Sequence, residues 1–379
     1  MESYDYIVCG AGCAGLTFLY EIISYESISN KKILLIDSDY KTKNDRTWCF
    51  WSDDNLLQNK FPSYSWDYLE FLANDYSSCF AIKPYRYNKI NGIDFYNAIL
   101  NLIAHYPNIQ FLKSNINSIN NTKNGVTVVT DNGVFSALYA FNSIIFNKKN
   151  IITPNSLLQH FKGIEIETKE NSFNETKATF MDFSISQTKG TSFMYVLPTT
   201  SKTALIEYTL FTKNILKEQE YDTELSNYIK DKLGIKEYEI KHTEFGIIPM
   251  TDYKFKLYDG NIINLGTAAG CVKASSGFAF KNIQKHTKQV VDLLAKGKKP
   301  YLKKSFNDKK FHLYDSVLLE VIAQNKMQGS EIFANIFKKN KPQLVLKFLD
   351  NETNIWEDLQ IMASVPSSIF LPIAIKKLF

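Results

Sequence analysis

Tyr6-Ile7-Val8-Cys9-Gly10-Ala11-Gly12-Cys13-Ala14-Gly15 runs from a short apolar segment straight into three spaced glycines. Leu16, Phe18, Leu19, Ile22 and Ile23 follow at helical spacing, and a second apolar run, Ile33-Leu34-Leu35-Ile36, ends on Asp37. Strand, glycine turn, helix, strand and acid, in that order, predict a βαβ unit of about 30 residues. Gly10 permits the tight turn, Gly12 lets the backbone approach a pyrophosphate, and Gly15 lets helix and strand pack closely. The helix opening at Cys13 and Ala14 would aim free N–H groups and a partial positive charge at phosphates. Asp37 lies 22 residues past Gly15, where an acid accepts ribose hydroxyls. This is a dinucleotide site, and at this point it suits NAD or FAD.

Working outward, Gly92 to Tyr106 reads as an amphipathic helix and Ile109 to Leu112 as a strand. Gly125–Val129 and Val134–Phe141 alternate around Asp131-Asn132-Gly133, a hairpin signal, and Ser143–Phe146 reads as another strand. Ala178–Ile185, Ser192–Leu197 and Ala204–Phe211 alternate as strands, Glu218–Leu233 reads as a helix stopped by Gly234, and residues 301–379 read as helical. A second glycine-rich stretch, Leu265-Gly266-Thr267-Ala268-Ala269-Gly270, leads to a turn at Ser276-Gly277 and a helix from about Phe278 to Lys296. FAD proteins of the oxidase and hydroxylase type close the nucleotide domain with such an element, capping the flavin side. An NAD-only domain has no need of it, so FAD is favoured. The pattern predicts an α/β chain with a Rossmann-like nucleotide unit, a second, β-rich region at about 155–250 and a helical C-terminal region (301–379).

The 379 residues are 45% hydrophobic and 22% charged, a globular composition. Cys9, Cys13, Cys49, Cys79 and Cys271 form no CxxC pair, which argues against a disulfide framework and a zinc site; no metal is expected. No segment approaches the ~18 apolar residues of a membrane span, and Met1–Tyr6 lack the pattern of a leader. Of 44 basic residues only Arg46 and Arg86 are arginine. A guanidinium forks onto phosphate or stacks on a ring as an ammonium cannot, so cofactor contact competes with a structural ion pair (for example with Asp45 or Asp94) for each. Lys281 to Lys347 holds 15 lysines against five acids, a pattern that suits an anionic lipid surface or simply a solvated face. Without interleaved aromatics or a recognised fold it does not suit nucleic acid.

Several stretches together resemble the flavin-dependent lycopene cyclases of bacteria. They are Gly10–Leu16, Arg46-Thr47-Trp48-Cys49-Phe50-Trp51, Tyr85-Arg86-Tyr87 ahead of Gly92–Tyr96, and Met181-Asp182-Phe183. Phe193–Pro198, Ile206-Glu207-Tyr208-Thr209, Gly246-Ile247-Ile248-Pro249-Met250 and Gly266–Phe280 complete the set. Two departures stand out. Asn147 and its neighbours lack the Asp-Gly pair of some members, and Glu-Tyr-Thr replaces Glu-Glu-Thr or Glu-Asp-Thr.

The resemblance implies a hydroxylase-type fold: a discontinuous Rossmann-like FAD domain (1–50, 89–155, 255–300), an inserted β-rich substrate domain (51–88, 156–254) and a helical C-terminal region (301–379). It also implies a non-redox cyclisation with reduced FAD, NAD(P)H being a possible reductant. The ψ-end of lycopene is protonated, the neighbouring alkene attacks the tertiary cation, and proton loss leaves a β-ionone ring, giving γ- and then β-carotene. Glu207, in the otherwise apolar run Ala204–Phe211, is the expected acid, because burial disfavours its charged form. A solvent-facing Glu is the alternative. Gly266, Thr267, Gly270, Ser276, Gly277 and Arg46 are expected beside FAD. Trp48, Phe50, Trp51, Phe193, Tyr195 and Phe278 are expected to line an apolar tunnel or simply to fill the core. Lycopene resides in membranes, so a cytoplasmic protein held peripherally at the inner membrane is expected. Lys281–Lys347 and the tail Val365–Phe379 would supply the contact, with Pro366 and Pro372 arguing against one continuous tail helix. A flavin hydroxylase, a prenyl-lipid reductase of the same fold, and a non-catalytic carotenoid-binding flavoprotein are the rival readings.

Overall fold

A computed structural model describes residues 2–53, 61 and 64–378. At its centre the strand Glu2–Cys9 pairs in parallel with Ile33–Asp37 on one side and Gly133–Asn142 on the other. Ile109–Lys113 extends the sheet beyond Ile33–Asp37, and Ile262–Asn264 extends it beyond Gly133–Asn142. Strands buried on both faces need near-continuous apolar runs, and Tyr6–Cys9 and Ile33–Ile36 supply them. The helices Cys13–Ile22, Gly92–Ile103 and Phe280–Ala295 cover one face, where Leu16, Phe18, Phe95, Ile99, Ile283 and Val290 are buried. The hairpin strands Ile116–Thr122 and Gly125–Thr130 cover the other through Val126 and Val128.

A second sheet of seven strands runs in the order Glu239–Met250, Leu157–Glu167, Thr203–Thr212, Thr191–Pro198, Lys177–Asp182, Tyr68–Ala73, Tyr76–Ala81. One face packs on the helix Glu218–Asn227, where Tyr208, Tyr221, Leu225 and Ile229 are buried. The opposite face meets the C-terminal helices, with Phe71 stacked on Phe337 at 4.4 Å and Phe183 on Phe333 at 5.7 Å. Between the two large sheets lies a small one, Thr47–Ser52, Arg86–Asn91 and Tyr64–Trp66. The functional geometry is organised around it.

Two expectations are corrected. Ser143–Phe146 is irregular rather than a strand: the Asn142 side chain bonds the Ile144 N–H and carbonyl and turns the chain out of the sheet. The tail forms one helix, Ser367–Leu378, with Pro372 inside it. Its packing on Phe306–Ala323 and the bonds from Lys377 to Asp252 (3.4 Å) and Glu320 (3.0 Å) outweigh the one helix donor that proline removes. Of the two readings for Arg86 the structure shows an ion pair, made to Asp67 at 2.9 Å.

The basic segment is also less free than its count suggests. Lys281, Lys285, Lys288, Lys310 and Lys347 pair with Asp350, Glu352, Asp292, Asp358 and Glu357. Four of these five acids lie just beyond Lys347, so much of the local excess is cancelled within the fold.

Candidate functional site

Gly10 adopts φ +103°, a conformation L side chains rarely take. A Cβ at Gly15 would overlap the Gly10 carbonyl oxygen and crowd Val8, so the helix lies directly against the strand it follows. At Gly12 the added atom would meet nothing within 4 Å, and no side chain caps the helix that begins at Cys13. Its first N–H groups therefore point outward without a side-chain partner, as an anion cradle requires.

The second glycine-rich stretch arrives at the same place. Gly266 has φ +57°, and a Cβ there would sit 2.7 Å from that of Ala14. Gly266–Ala269 is a single 3-10 turn carrying half-buried Thr267 and closed by Gly270 at φ +77°. Two glycine turns more than 250 residues apart in sequence are thus in contact at the mouth of the first helix.

Asp37 serves the turn itself. Its Oδ2 accepts from the Ala11 N–H at 2.6 Å, its Oδ1 from the Asp39 N–H at 2.9 Å, and Lys41 lies 3.5 Å from Oδ1. The carboxylate braces the glycine loop from the end of its own strand. Arg46 is exposed, donates to the Asp45 carbonyl at 3.1 Å and offers its own carbonyl to the Gly92 N–H at 2.6 Å. Cys13 is buried, and burial pushes its thiol up to about 12; Gln284 bonds the adjacent Thr17 at 2.7 Å. Such a thiol is packing, not a nucleophile.

Glu207 stands in a row that the register defines. Tyr195 pairs with Glu207, Glu207 with Gly163, and Gly163 with Glu244. Residues directly opposite one another in adjacent strands share a face, so the order across four strands is Tyr195, Glu207, Gly163, Glu244. Gly163 contributes no side chain, and the two carboxyl groups reach toward each other above it. A Cβ at Gly163 would lie 3.1 Å from Glu244 Cγ and 3.3 Å from its Oε1.

Thr209 donates to Glu207 Oε1 at 2.6 Å, and Thr47, on the small sheet, donates to Glu244 Oε2 at 2.7 Å. Glu244 Oε1 is buried and has no hydrogen-bond partner among the described residues. Glu207 is intermediate in exposed area yet enclosed by protein. Burial first and the Glu244 charge second together raise its carboxyl to about 8, against the opposing hydrogen bond from the Thr209 hydroxyl.

The rest of the enclosure is aromatic. Cys49 pairs with Lys89 and Trp51 with Tyr87, so these four share one face of the small sheet. Tyr87 and Tyr195 are buried and held well above the usual phenol range, chiefly by desolvation; burial likewise takes the Cys49 thiol to about 12. Lys89, also buried, reaches Glu165 at 3.4 Å in the next row. Phe180 lies 5.3 Å from Tyr87, 6.3 Å from Tyr195 and 6.0 Å from Phe278, with Trp51 4.7 Å from Phe278 and Phe193 5.2 Å from Tyr195. Trp51 closes the group, its Nε1 donating to the Leu346 carbonyl at 3.1 Å.

Of the expected lining residues, the structure gathers Trp51, Phe193, Tyr195 and Phe278. Trp48 and Phe50 are not among them. Strand alternation turns both to the opposite face, where Phe50 stacks on Phe280 at 4.7 Å and Trp48 meets Phe95 at 5.3 Å inside the nucleotide-domain core. Gly277, at φ +73°, lies against Gln159 of the second sheet, and the Ser276 hydroxyl is buried with no partner among the described residues. The 266–278 stretch therefore spans from the glycine mouth to the aromatic enclosure.

Glu244 and Gly163 are members of the site that no motif singled out, and Thr47, inside the Arg46–Trp51 stretch, carried no expected role. Glu244 sits two residues before Gly246-Ile247-Ile248-Pro249-Met250, and a run that alternates into a proline-ended strand was the available signal. Among the described residues no three His, Cys, Asp or Glu side chains converge as a metal site, and no helix is long and apolar enough to cross a membrane.

Comparison with known proteins follows the same outline. Across its full length the chain is similar to a geranylgeranyl bacteriochlorophyll reductase-like protein of Thermoplasma acidophilum (13% identity, TM-score 0.63, 100% of this chain and 99% of that one). It is also similar to a p-nitrophenol 4-monooxygenase of Pseudomonas putida DLL-E4 (12%, 0.59, 99% and 98%) and to a flavin-dependent brominase (10%, 0.58, 98% and 97%). At such identities these likenesses establish the shared fold, a Rossmann-like nucleotide domain with an inserted sheet and a helical C-terminal region. No curated protein matches the sequence. The family model described as lycopene cyclase protein matches residues 5–374, from the first strand of the glycine fingerprint into the last helix, and the chain belongs to that family.

Proposed function

We propose that this protein is a lycopene β-cyclase that closes ψ-ends into β-ionone rings without net oxidation or reduction, using FAD in its reduced form. The observation that carries this reading is the enclosure of the Glu207 carboxyl among tyrosine, phenylalanine and tryptophan rings, where burial and the Glu244 charge raise it to about 8. A protonated carboxyl in an apolar enclosure can pass a proton to an alkene. The surrounding ring faces stabilise the resulting cation, each by about 0.5–2 kcal/mol depending on desolvation. Water must be kept out because it would capture a tertiary cation, and Trp51, Phe180, Phe193 and Phe278 form the barrier.

FAD fits the residues present. The open approach at Gly12, the uncapped helix at Cys13 and the Gly266–Ala14 contact form a pyrophosphate cradle, and Ser276 brings an unspent hydroxyl toward the flavin side. Bound there in reduced form, the flavin would supply negative charge that favours the cationic intermediate. NAD(P)H would serve only to reduce it. The resting enzyme needs Glu207 protonated, so its activity has a sign in pH. Ring formation by reduced holoprotein is expected to fall through a midpoint near 8 as Glu207 ionises. A profile level to pH 9.5 would contradict the assignment of the acid.

The same reading places the protein peripherally on the cytoplasmic leaflet of the inner membrane. Trp356 is 81% exposed and Phe306 70%; with Ile355 they border one surface hollow alongside Lys285. Large exposed apolar side chains suit a lipid interface, and here they do so without a net basic patch, since Lys285 is paired with Glu352 at the same hollow. The double variant Phe306→Ser, Trp356→Ser is expected to lower affinity for anionic vesicles by about tenfold. Sedimentation unchanged by the pair would remove this surface from the contact.

A further inference from the structure

We infer that Glu244 is the second member of an acid–base pair with Glu207: it accepts the proton each closing ring gives up and returns it to Glu207 across Gly163. This rests on the reading of Glu207 as the initiating acid and supplies the base that reading lacks.

The geometry is specific. The two residues occupy strands on either side of Leu157–Glu167 and share Gly163 as their common partner in register. Any side chain at position 163 would stand between them, and a Cβ there would fall 3.3 Å from Glu244 Oε1, which places that oxygen over the gap. Oε2 is taken by Thr47, whereas Oε1 is buried and has no hydrogen-bond partner among the described residues. A proton on Glu207 is the donor it lacks.

The groups facing Glu207 are Glu244 and Thr209, Tyr195 of the next strand, and Cys49, Tyr87 and Lys89 of the small sheet. The cation in this group, Lys89, is directed to Glu165 in the adjacent row. Among the described residues no basic side chain separates or neutralises the pair, and two carboxylates so placed do not both ionise readily.

The cycle balances. The Glu207 O–H bond breaks as a C–H bond forms on the terminal alkene. The π electrons of the neighbouring alkene then form the ring C–C bond. At that point both carboxyls are ionised in a dry enclosure, which favours recapture of a proton. A ring C–H bond breaks, its electron pair becomes the ring double bond, and the proton goes to Glu244. Transfer from Glu244 to Glu207 restores the starting state. No oxidant or reductant is consumed, and one proton serves both ends of the substrate.

The test joins two readouts on FAD-loaded protein. Infrared titration of the protonated carboxyl band is expected to show one group with a midpoint near 8 in wild type. The band should be absent in Glu207→Gln and shifted to lower pH in Glu244→Gln. Turnover of lycopene by reduced protein in D2O then reads the chemistry. Glu244→Gln is expected to lose at least 100-fold in β-ring formation, while recovered lycopene gains deuterium because the first protonation still occurs and reverses. Gly163→Ala, which keeps both carboxyls but fills the gap, should move both readouts the same way should Glu244→Gln fold poorly. β-Rings formed by Glu244→Gln at the wild-type rate, or a carboxyl midpoint unmoved by that change, would overturn the inference and leave Glu207 as the acid. A wild type that closes no ring would overturn the cyclase reading itself, and the inference with it.

Discussion

Glu207→Gln should abolish ring closure, lowering it by 10³-fold or more, while FAD still binds with wild-type affinity. The amide matches the carboxyl in size, and its carbonyl oxygen can still accept the Thr209 hydroxyl that meets Oε1 at 2.6 Å. What it cannot do is deliver a proton to carbon, and removing a positioned acid of this kind costs about 10²–10⁴-fold. Glu207 lies on the second sheet, away from the glycine mouth, so the cofactor should be unaffected.

Stability carries a second signature of the same group. Its folded value, about 8, lies above the ordinary 4.5, so the unfolded chain gives up that proton first. The contribution is complete below pH 4.5 and is lost as pH rises through 8. Glu207→Gln removes this loss, and its melting temperature should overtake wild type in the alkaline range. Retention of ring closure within tenfold of wild type would show that another group is the acid.

Gly12→Ala and Gly15→Ala should separate cofactor binding from folding. At Gly15 a methyl group would collide with the Gly10 carbonyl oxygen, which is backbone and cannot swing aside. Helix and strand must part, at a cost of about 1–3 kcal/mol or more, and both melting temperature and FAD occupancy should fall. At Gly12 the backbone is at φ −81° and ψ −169°, open to any residue, and nothing lies within 4 Å of the added atom. The fold should change by less than about 0.5 kcal/mol. FAD affinity should nonetheless drop at least tenfold, because the methyl stands where the backbone must meet the pyrophosphate. Measuring melting temperature and FAD dissociation for both variants checks the pair. Equal FAD affinity in Gly12→Ala and wild type would place the phosphates elsewhere.

Local chemistry explains which features are legible in the sequence. The glycine fingerprint and Asp37 are readable because each residue in them answers to its near neighbours: a positive φ, a close strand, a hydrogen bond 26 residues away within one βαβ unit. The contact of Gly266 with Ala14 needs an analogy with other FAD proteins, since nothing in either stretch reports the other. Glu207 stands out as an acid in an apolar run. Glu244 does not, because its strand reads Glu239-Ile240-Lys241-His242-Thr243-Glu244, polar along much of its length, and only pairing through Gly163 makes it a partner. The long strand Leu157–Glu167 escapes a sequence reading for the same reason: His160 and Lys162 look like surface residues. Yet His160 is buried against Tyr221 and Thr212, and Lys162 binds Glu218 and Asp222. Trp48 and Phe50 take the core-filling alternative because a six-residue aromatic stretch is not one surface: strand alternation divides it between two cores.

The most direct measurement is the reductant balance of anaerobic turnover. Protein with FAD, lycopene-loaded anionic liposomes and a flavin reductant are incubated without oxygen, and pigments are separated by chromatography while reductant is counted. The cyclase account predicts γ- and β-carotene in amounts far exceeding the reductant consumed, after a single charge to reduce the bound flavin. Lycopene left unchanged by protein that binds FAD, reduces it and associates with the liposomes would contradict the account, as would a product formed with one reductant spent per turnover.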